Sequence, residues 1–133
     1  NVALALAVCR HLGIARRRAI EGMWSAQPDP GVLTEHQLEF FGRRIVFLNG
    51  FAANDPESTE RLWNMAIERY PRHQRRLAVF NCRQDRPERS VQLAQAAAKW
   101  KPADRYVLIG SGTYLFATHA VKAGIDPMQL VLA

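Results

Sequence analysis

Hydrophobic and polar positions divide the chain into short apolar runs and amphipathic stretches that follow one another in regular order. Residues 45–48, Ile-Val-Phe-Leu, are a continuous apolar run, the mark of a buried strand. A polar segment covers 49–55, and from Pro56 a helical period places Leu62, Trp63, Ala66, Ile67 and Tyr70 on one face. Either Asp55 caps that helix, with Pro56 at the first position where a missing N–H costs nothing, or Asn54 is the cap and Glu57 completes a capping box. Strands are predicted at 77–82 and 105–109, and a last one at 128–132. A helix between the first two starts at Asp85 as cap, with Glu88 three residues on, and runs to about Trp100. A second helix, 114–123, follows the tight loop 110–113 and ends at Gly124. Upstream, strands at 37–41 and 44–49 flank Gly42-Arg43, a two-residue loop with Gly first that suits a type II′ hairpin.

The first thirty residues read differently. Residues 2–12 form a helix that is apolar nearly all round and closes at Gly13, so it needs cover from other structure. Residues 15–26 form a second helix that starts on Arg16-Arg17-Arg18, against the helix dipole. Those arginines answer either to a partner outside the helix or to solvent. Gln27-Pro28-Asp29-Pro30-Gly31 then reads as a linker, and a domain boundary is placed there, between 1–26 and 27–133. Downstream the order is hairpin, then helix and strand in alternation. That order predicts an α/β fold, a doubly wound and mostly parallel sheet with helices on both faces and the hairpin's first strand as an antiparallel edge.

Composition narrows the function. A chain of 133 residues with 48% hydrophobic content suits a compact core. Its longest apolar stretch, 2–9, is too short to span a bilayer, and no signal peptide is visible. The start at Asn1, without methionine and directly into a helix, suggests a fragment of a larger protein. Cys9 and Cys82 read as buried thiols of a reducing cytoplasm, with no metal-site spacing. Net charge is +6, and fifteen of eighteen basic residues are Arg, which binds carboxylate and phosphate bidentately. An anionic partner (nucleotide, acidic substrate or nucleic acid) is one reading; a solvated basic face is the other. The few aromatics form no stacking array, which argues against nucleic acid.

In such a sheet the carboxyl ends of the parallel strands form the ligand-binding rim. Three polar segments fall there: 49–55, 81–86 and 110–113. Arg83, Arg86 and Arg89 would hold a carboxylate or phosphate, unless Arg86 and Arg89 pair with Asp85 and Glu88. Ser111 and Thr113 offer hydroxyls, and their glycines let a ligand approach the backbone. Gly-Ser-Gly-Thr is neither a Walker A loop nor a dinucleotide fingerprint. His11, His36, His73 and His119 lie in separate elements without a nucleophile or metal partner, and no carboxylate pair stands out for acid–base work. The residues themselves thus describe an anion-binding rim without catalytic machinery.

Asn-Val-Ala-Leu-Ala-Leu-Ala-Val-Cys-Arg-His-Leu-Gly-Ile at 1–14 resembles the end of the central ATPase domain of Mur-type ligases. Pro28-Asp29-Pro30-Gly31, the run from Asn49 through Asn54-Asp55-Pro56 to Thr59, Asn81-Cys82-Arg83 with Asp85-Arg86-Pro87 and Arg89-Ser90, and Ile109-Gly110-Ser111-Gly112-Thr113 are together similar to the ligase subunit of poly-γ-glutamate synthase, the CapB/PgsB family. The resemblance covers nearly the whole chain. It implies an ATP-dependent amide ligase: a carboxylate is phosphorylated, and the acyl phosphate is attacked by the amine of an incoming glutamate. It further implies a γ-linked polymer made at the inner face of the cell membrane, with the enzyme cytoplasmic and peripheral beside membrane subunits.

The same resemblance makes 1–26 the helical tail of the ATPase domain and 27–133 a Rossmann-like Mur-ligase C-terminal domain, incomplete at its own end. It carries nucleotide contacts to Asn1, Asn49 and Asn54, and binding of the incoming amino acid's carboxylate to the neighbourhood of Arg83. ATP and Mg²⁺ would be held mainly by the upstream ATPase domain. Asn49 replaces the Asp that Mur ligases use for the ribose, Val32 stands where they carry an Arg, and the P-loop and Mg²⁺ ligands are not in this chain. The chain alone is expected to be inactive. A Mur-type ligase for another substrate, such as a cell-wall precursor, and a non-catalytic anion- or nucleic-acid-binding α/β module are the alternatives.

Overall fold

The computed structural model describes residues 2–27, 32–73 and 75–133, in two compact units, Asn1–Pro30 and Gly31–Ala133. Asn1 and the turn Pro28-Asp29-Pro30-Gly31 therefore lie outside the described residues, and so does the nucleotide contact expected at Asn1.

The first unit is a helix pair, α1 (Val2–His11) and α2 (Arg16–Ser25). The chain reverses through Gly13, whose φ of +72° a side chain would resist, and Ile14 N–H donates to Cys9 O at 2.8 Å. Val2, Leu4, Val8 and Leu12 are all exposed, as a helix apolar on every side leaves them when only one neighbour packs on it. Arg17 pairs with Glu21 one turn on, at 2.9 Å, so one of the three leading arginines has an internal partner.

The second unit opens with an antiparallel hairpin of β1 (Thr34–Phe40) and β2 (Arg43–Asn49), in register from Thr34 against Asn49 to Phe40 against Arg43. That register moves the turn one residue from its predicted place. The loop is Phe41-Gly42, with φ of +48° and +70°, the two positive values of a type I′ rather than a type II′ turn. The twist of the type I′ turn matches that of the strands, and this match outweighs the strain of placing a bulky residue at positive φ.

Next comes α3 (Pro56–Arg69), and here Asp55, not Asn54, is the cap: its carboxylate accepts from Ser58 N–H at 2.9 Å. Then follow β3 (Leu77–Asn81), α4 (Pro87–Ala97), β4 (Arg105–Ile109), α5 (Thr113–Lys122) and, after a short 3-10 turn, β5 (Leu130–Leu132). The order of elements is the predicted one. The sheet is not a single one, however: β3, β4 and β5 form a parallel sheet in that order, and β1–β2 stands apart as its own two-stranded sheet. The hairpin therefore is not an edge of the parallel sheet.

Two ends of α4 also differ from expectation. Its cap is Arg86, with no side-chain capping bond, because the Asp85 carboxylate is bound to Arg83 instead. It stops at Ala97, where the chain tightens and Lys99 N–H donates to Ala96 O at 2.8 Å.

Right-handed crossovers between neighbouring parallel strands put α4 and α5 on one face of the sheet, and the two pack on each other. Phe80, Tyr106 and Leu108 point into that face and meet Ala94, Ala97, Phe116 and Ala120, all buried. The alanines let the helices approach, and the Phe80 and Phe116 rings lie 4.7 Å apart between centroids. The alternate strand residues Val79, Val107 and Val131 point away from it and are partly exposed. Asp104 pins the starts of β3 and β4: its N–H donates to Arg76 O at 2.9 Å and its carboxylate accepts from Arg76 N–H at 2.7 Å.

Candidate functional site

Strands β3 and β4 end side by side, Asn81 against Ile109, and the loops beyond them are joined by backbone bonds. Cys82 N–H donates to Ile109 O at 2.7 Å, and Gly112 N–H to Cys82 O at 3.0 Å. Gln84 N–H donates to the Ser111 hydroxyl at 3.3 Å. This packing explains the glycines. Gly110 has φ of +94°, and a Cβ there would lie 2.5 Å from Cys82 O; a Cβ on Gly112 would lie 3.2 Å from Arg83 C. Both glycines serve the approach of one loop to the other, rather than the approach of a ligand to the backbone. Ser111 is exposed, and Thr113 opens α5 beside it.

Beneath the first loop lies a small cavity of about 50 Å³. Asn81, Arg83, Arg86, Arg89 and Ser90 line it, over a floor of Leu93 and Phe116. Arg86, Arg89, Ser90 and Leu93 stand at positions i, i+3, i+4 and i+7 of one helix end, which places all four on the same face. Ser90 is the one buried polar residue among the described residues, 5% exposed, and it lines the cavity. It was absent from the predicted site, although the helical spacing from Arg86 carries the signal.

The arginines do not stand alike. Arg83 binds both oxygens of Asp85, Nε to Oδ1 at 2.9 Å and Nη2 to Oδ2 at 2.7 Å. These bonds hold the Asp85 carboxyl below its usual range and raise the Arg83 guanidinium above its own. Arg86 reaches Asp85 only at 3.9 Å, and the pairing of Arg89 with Glu88 that sequence left open is not formed among the described residues. Arg89 is thus the partly buried cation that faces the cavity with no carboxylate of its own. Cys82 sits under the loop with its thiol pushed up to about 11 by burial, so it is a neutral, packed group and not a nucleophile.

Asn49 and Asn54 lie at the β2–α3 junction and do not border this cavity. The Asn49 side chain accepts from Phe51 N–H at 3.4 Å and shapes its own loop; Asn54 is exposed just before the Asp55 cap. The structure therefore brings Arg83, Arg86 and Arg89 together next to Ser111 and Thr113, and keeps the two asparagines apart as a second polar edge. No group of His, Cys, Asp and Glu able to hold a metal ion occurs among the described residues. No described helix is long and apolar enough to cross a membrane. Arginine, serine and asparagine side chains together make a lining of the kind that suits a small oxyanion.

Residues 35–133 match the family described as poly-gamma-glutamate synthase CapB C-terminal domain. The chain is 36% identical over 129 residues to "Capsule biosynthesis protein CapB" of Bacillus anthracis, covering 97% of this chain and 28% of that protein. It is 39% identical over 114 residues to "PGA synthase CapB" of Bacillus subtilis, covering 85% of this chain and 29% of that protein. The chain thus spans under a third of the length of either relative. No solved structure gives a significant match. With most of its residues inside the matched domain, this chain belongs to the CapB family of poly-γ-glutamate synthases, whose C-terminal domain it carries.

Proposed function

We propose that this chain is the substrate-closing, Rossmann-like part of an ATP-dependent ligase that joins glutamate into a γ-linked polymer. The observation that carries this reading is the arginine cavity: about 50 Å³ of space, lined by Arg83, Arg86, Arg89 and Ser90. At roughly 30 Å³ per water in the liquid, it has room for the two oxygens of a carboxylate but not for a whole amino acid. A glutamate anchored there by one carboxylate leaves its amine and the rest of its body outside, toward the Ser111–Thr113 loop. Bidentate arginine contact fixes the carboxylate's plane as well as its position. Holding the amine in one place is the chain's contribution to rate, since it turns an encounter into an oriented attack.

ATP supplies the activation of the acceptor carboxylate, in a domain upstream of this one. Residues 1–26 are read as that domain's helical tail and 27–133 as the domain that closes on it. Asn49 and Asn54, at a strand end beside the N-terminus of α3, suit the hydroxyl edge of a nucleotide held opposite. The described residues offer no site for Mg²⁺, which on this reading is bound upstream. The enzyme would work at the inner face of the membrane with further subunits and a growing acidic polymer.

The test is ADP release by the full-length protein. Addition of glutamate should stimulate it several-fold over the basal rate; release indifferent to glutamate would contradict the reading.

A further inference from the structure

A second cavity, about 1440 Å³, separates the hairpin from the parallel sheet. It borders none of Arg83, Arg86, Arg89 or Ser90 and shares only Leu93 with the arginine cavity. On one side it meets every residue from Arg43 to Leu48 in β2; on the other it meets every residue from Leu77 to Phe80 in β3. Successive side chains of a strand point to opposite faces. A cavity that meets consecutive residues therefore runs along the strand's edge and meets its backbone. Among the described residues both edges are free: β2 is paired only with β1, and β3 only with β4. Leu62, Trp63 and Ala66 of α3 form the apolar back wall.

The walls are held in place from both ends. Arg69 at the end of α3 pairs with Glu35 of β1 at 2.9 Å. At the other end, Gly50 is packed so closely on Leu62 that a Cβ would lie 2.8 Å from its Cδ1. Two unpaired strand edges of apolar residues, fixed on either side of a cleft, form a template for another strand.

Charge says which strand. Six arginines border the cleft, Arg43, Arg44, Arg72, Arg75, Arg76 and Arg105, against one carboxylate, Asp104, already bound to the Arg76 backbone. The Arg76 Nε is buried and has no hydrogen-bond partner among the described residues. A second copy of this chain, with net charge +6, would bring the same basic rim to itself. We infer that an extended, apolar strand of a partner protein, flanked by acidic residues, docks between β2 and β3 and pairs with both edges. It would join the hairpin and the parallel sheet into one continuous sheet.

The test is hydrogen exchange of the full chain with a probe peptide of alternating valine and threonine flanked by glutamates. The inference expects amides of both Arg43–Asn49 and Leu77–Asn81 to slow together, by roughly a hundredfold at about a hundred times Kd. The same peptide flanked by lysines should not bind, and Arg72→Glu with Arg75→Glu, both exposed and remote from the core, should weaken binding about tenfold or more. Protection of one strand alone, equal binding of the lysine-flanked peptide, or protection that grows with protein concentration in the absence of peptide would each overturn it.

Discussion

Arg83 and Asp85 are locked together by two parallel hydrogen bonds, at 2.9 and 2.7 Å, at the mouth of a cavity that two further arginines line. Asp85 thus occupies the guanidinium face that an incoming carboxylate would use. On the proposed function it would compete with the substrate from within the chain.

Asp85→Asn should therefore release Arg83 without removing any cation. The pair is solvent-exposed and weak, so the expected effect is a fall in the KM for glutamate of about two- to fivefold in the full-length enzyme, with the KM for ATP unchanged. An increased glutamate KM would show that Asp85 aids binding instead. The pH dependence has a definite sign. The Asp85 carboxyl is held below its ordinary value, so its pairing with Arg83 is complete above the unfolded pKa of about 4 and is lost only as pH falls through the lower folded value.

Ser90→Ala removes a hydroxyl from the buried wall of the cavity. The melting temperature should hold, while the KM for glutamate rises about three- to tenfold through the lost bond to substrate. Scanning calorimetry and initial-rate kinetics check the two halves separately.

Gly110→Ala tests how the rim is assembled. A methyl at φ +94° would meet Cys82 O at 2.5 Å, so loops 81–83 and 110–112 must part. The strained backbone alone costs about 1–2 kcal/mol, and the clash adds to it. Urea denaturation should show the loss of stability, together with weaker glutamate use.

The hairpin's attachment has its own pH signature. Hydrogen bonding from Tyr70, and after it Gln37 and the charge of Arg69, lowers the Glu35 carboxyl below its ordinary value, and the same bond raises the Tyr70 hydroxyl. The contribution of Glu35 to holding β1 on α3 is present above the unfolded carboxyl pKa and disappears as pH falls through the folded one. Amide exchange in β1 and β2 should quicken at acid pH before that of β3 and β4; simultaneous release would contradict this order. Glu35→Gln should flatten the difference.

Much of this arrangement was legible in the chain, and the failures have physical causes. The element order came from periodicity, and Pro56 after Asp55 announced α3 because a cap acts within four residues. The grouping of Arg83, Arg86 and Arg89 with Ser111 and Thr113 followed from parallel strands ending on one rim. Asp85 was misread as a cap because a charge pair two residues away outcompetes the uncapped N–H groups of α4, a choice that local patterns leave open. The turn at Phe41-Gly42 was misplaced because register is set by the pairing of whole strands, not by where a glycine stands. The separation of the hairpin from the parallel sheet is a relation between segments distant in sequence, with no periodicity to reveal it. Ser90 lies one turn after Arg86 and so on the arginine face, but a serine at that spacing says nothing by itself of burial.

The central claim is that this cavity holds the incoming glutamate's carboxylate, and Arg89 is its cation without a carboxylate partner among the described residues. The direct measurement is the KM for glutamate and for ATP in the full-length enzyme carrying Arg89→Ala. The account predicts a glutamate KM raised about tenfold or more, in line with loss of a charged hydrogen bond, and an ATP KM that stays within about twofold. Equal changes in both, or none in the glutamate KM, would contradict it.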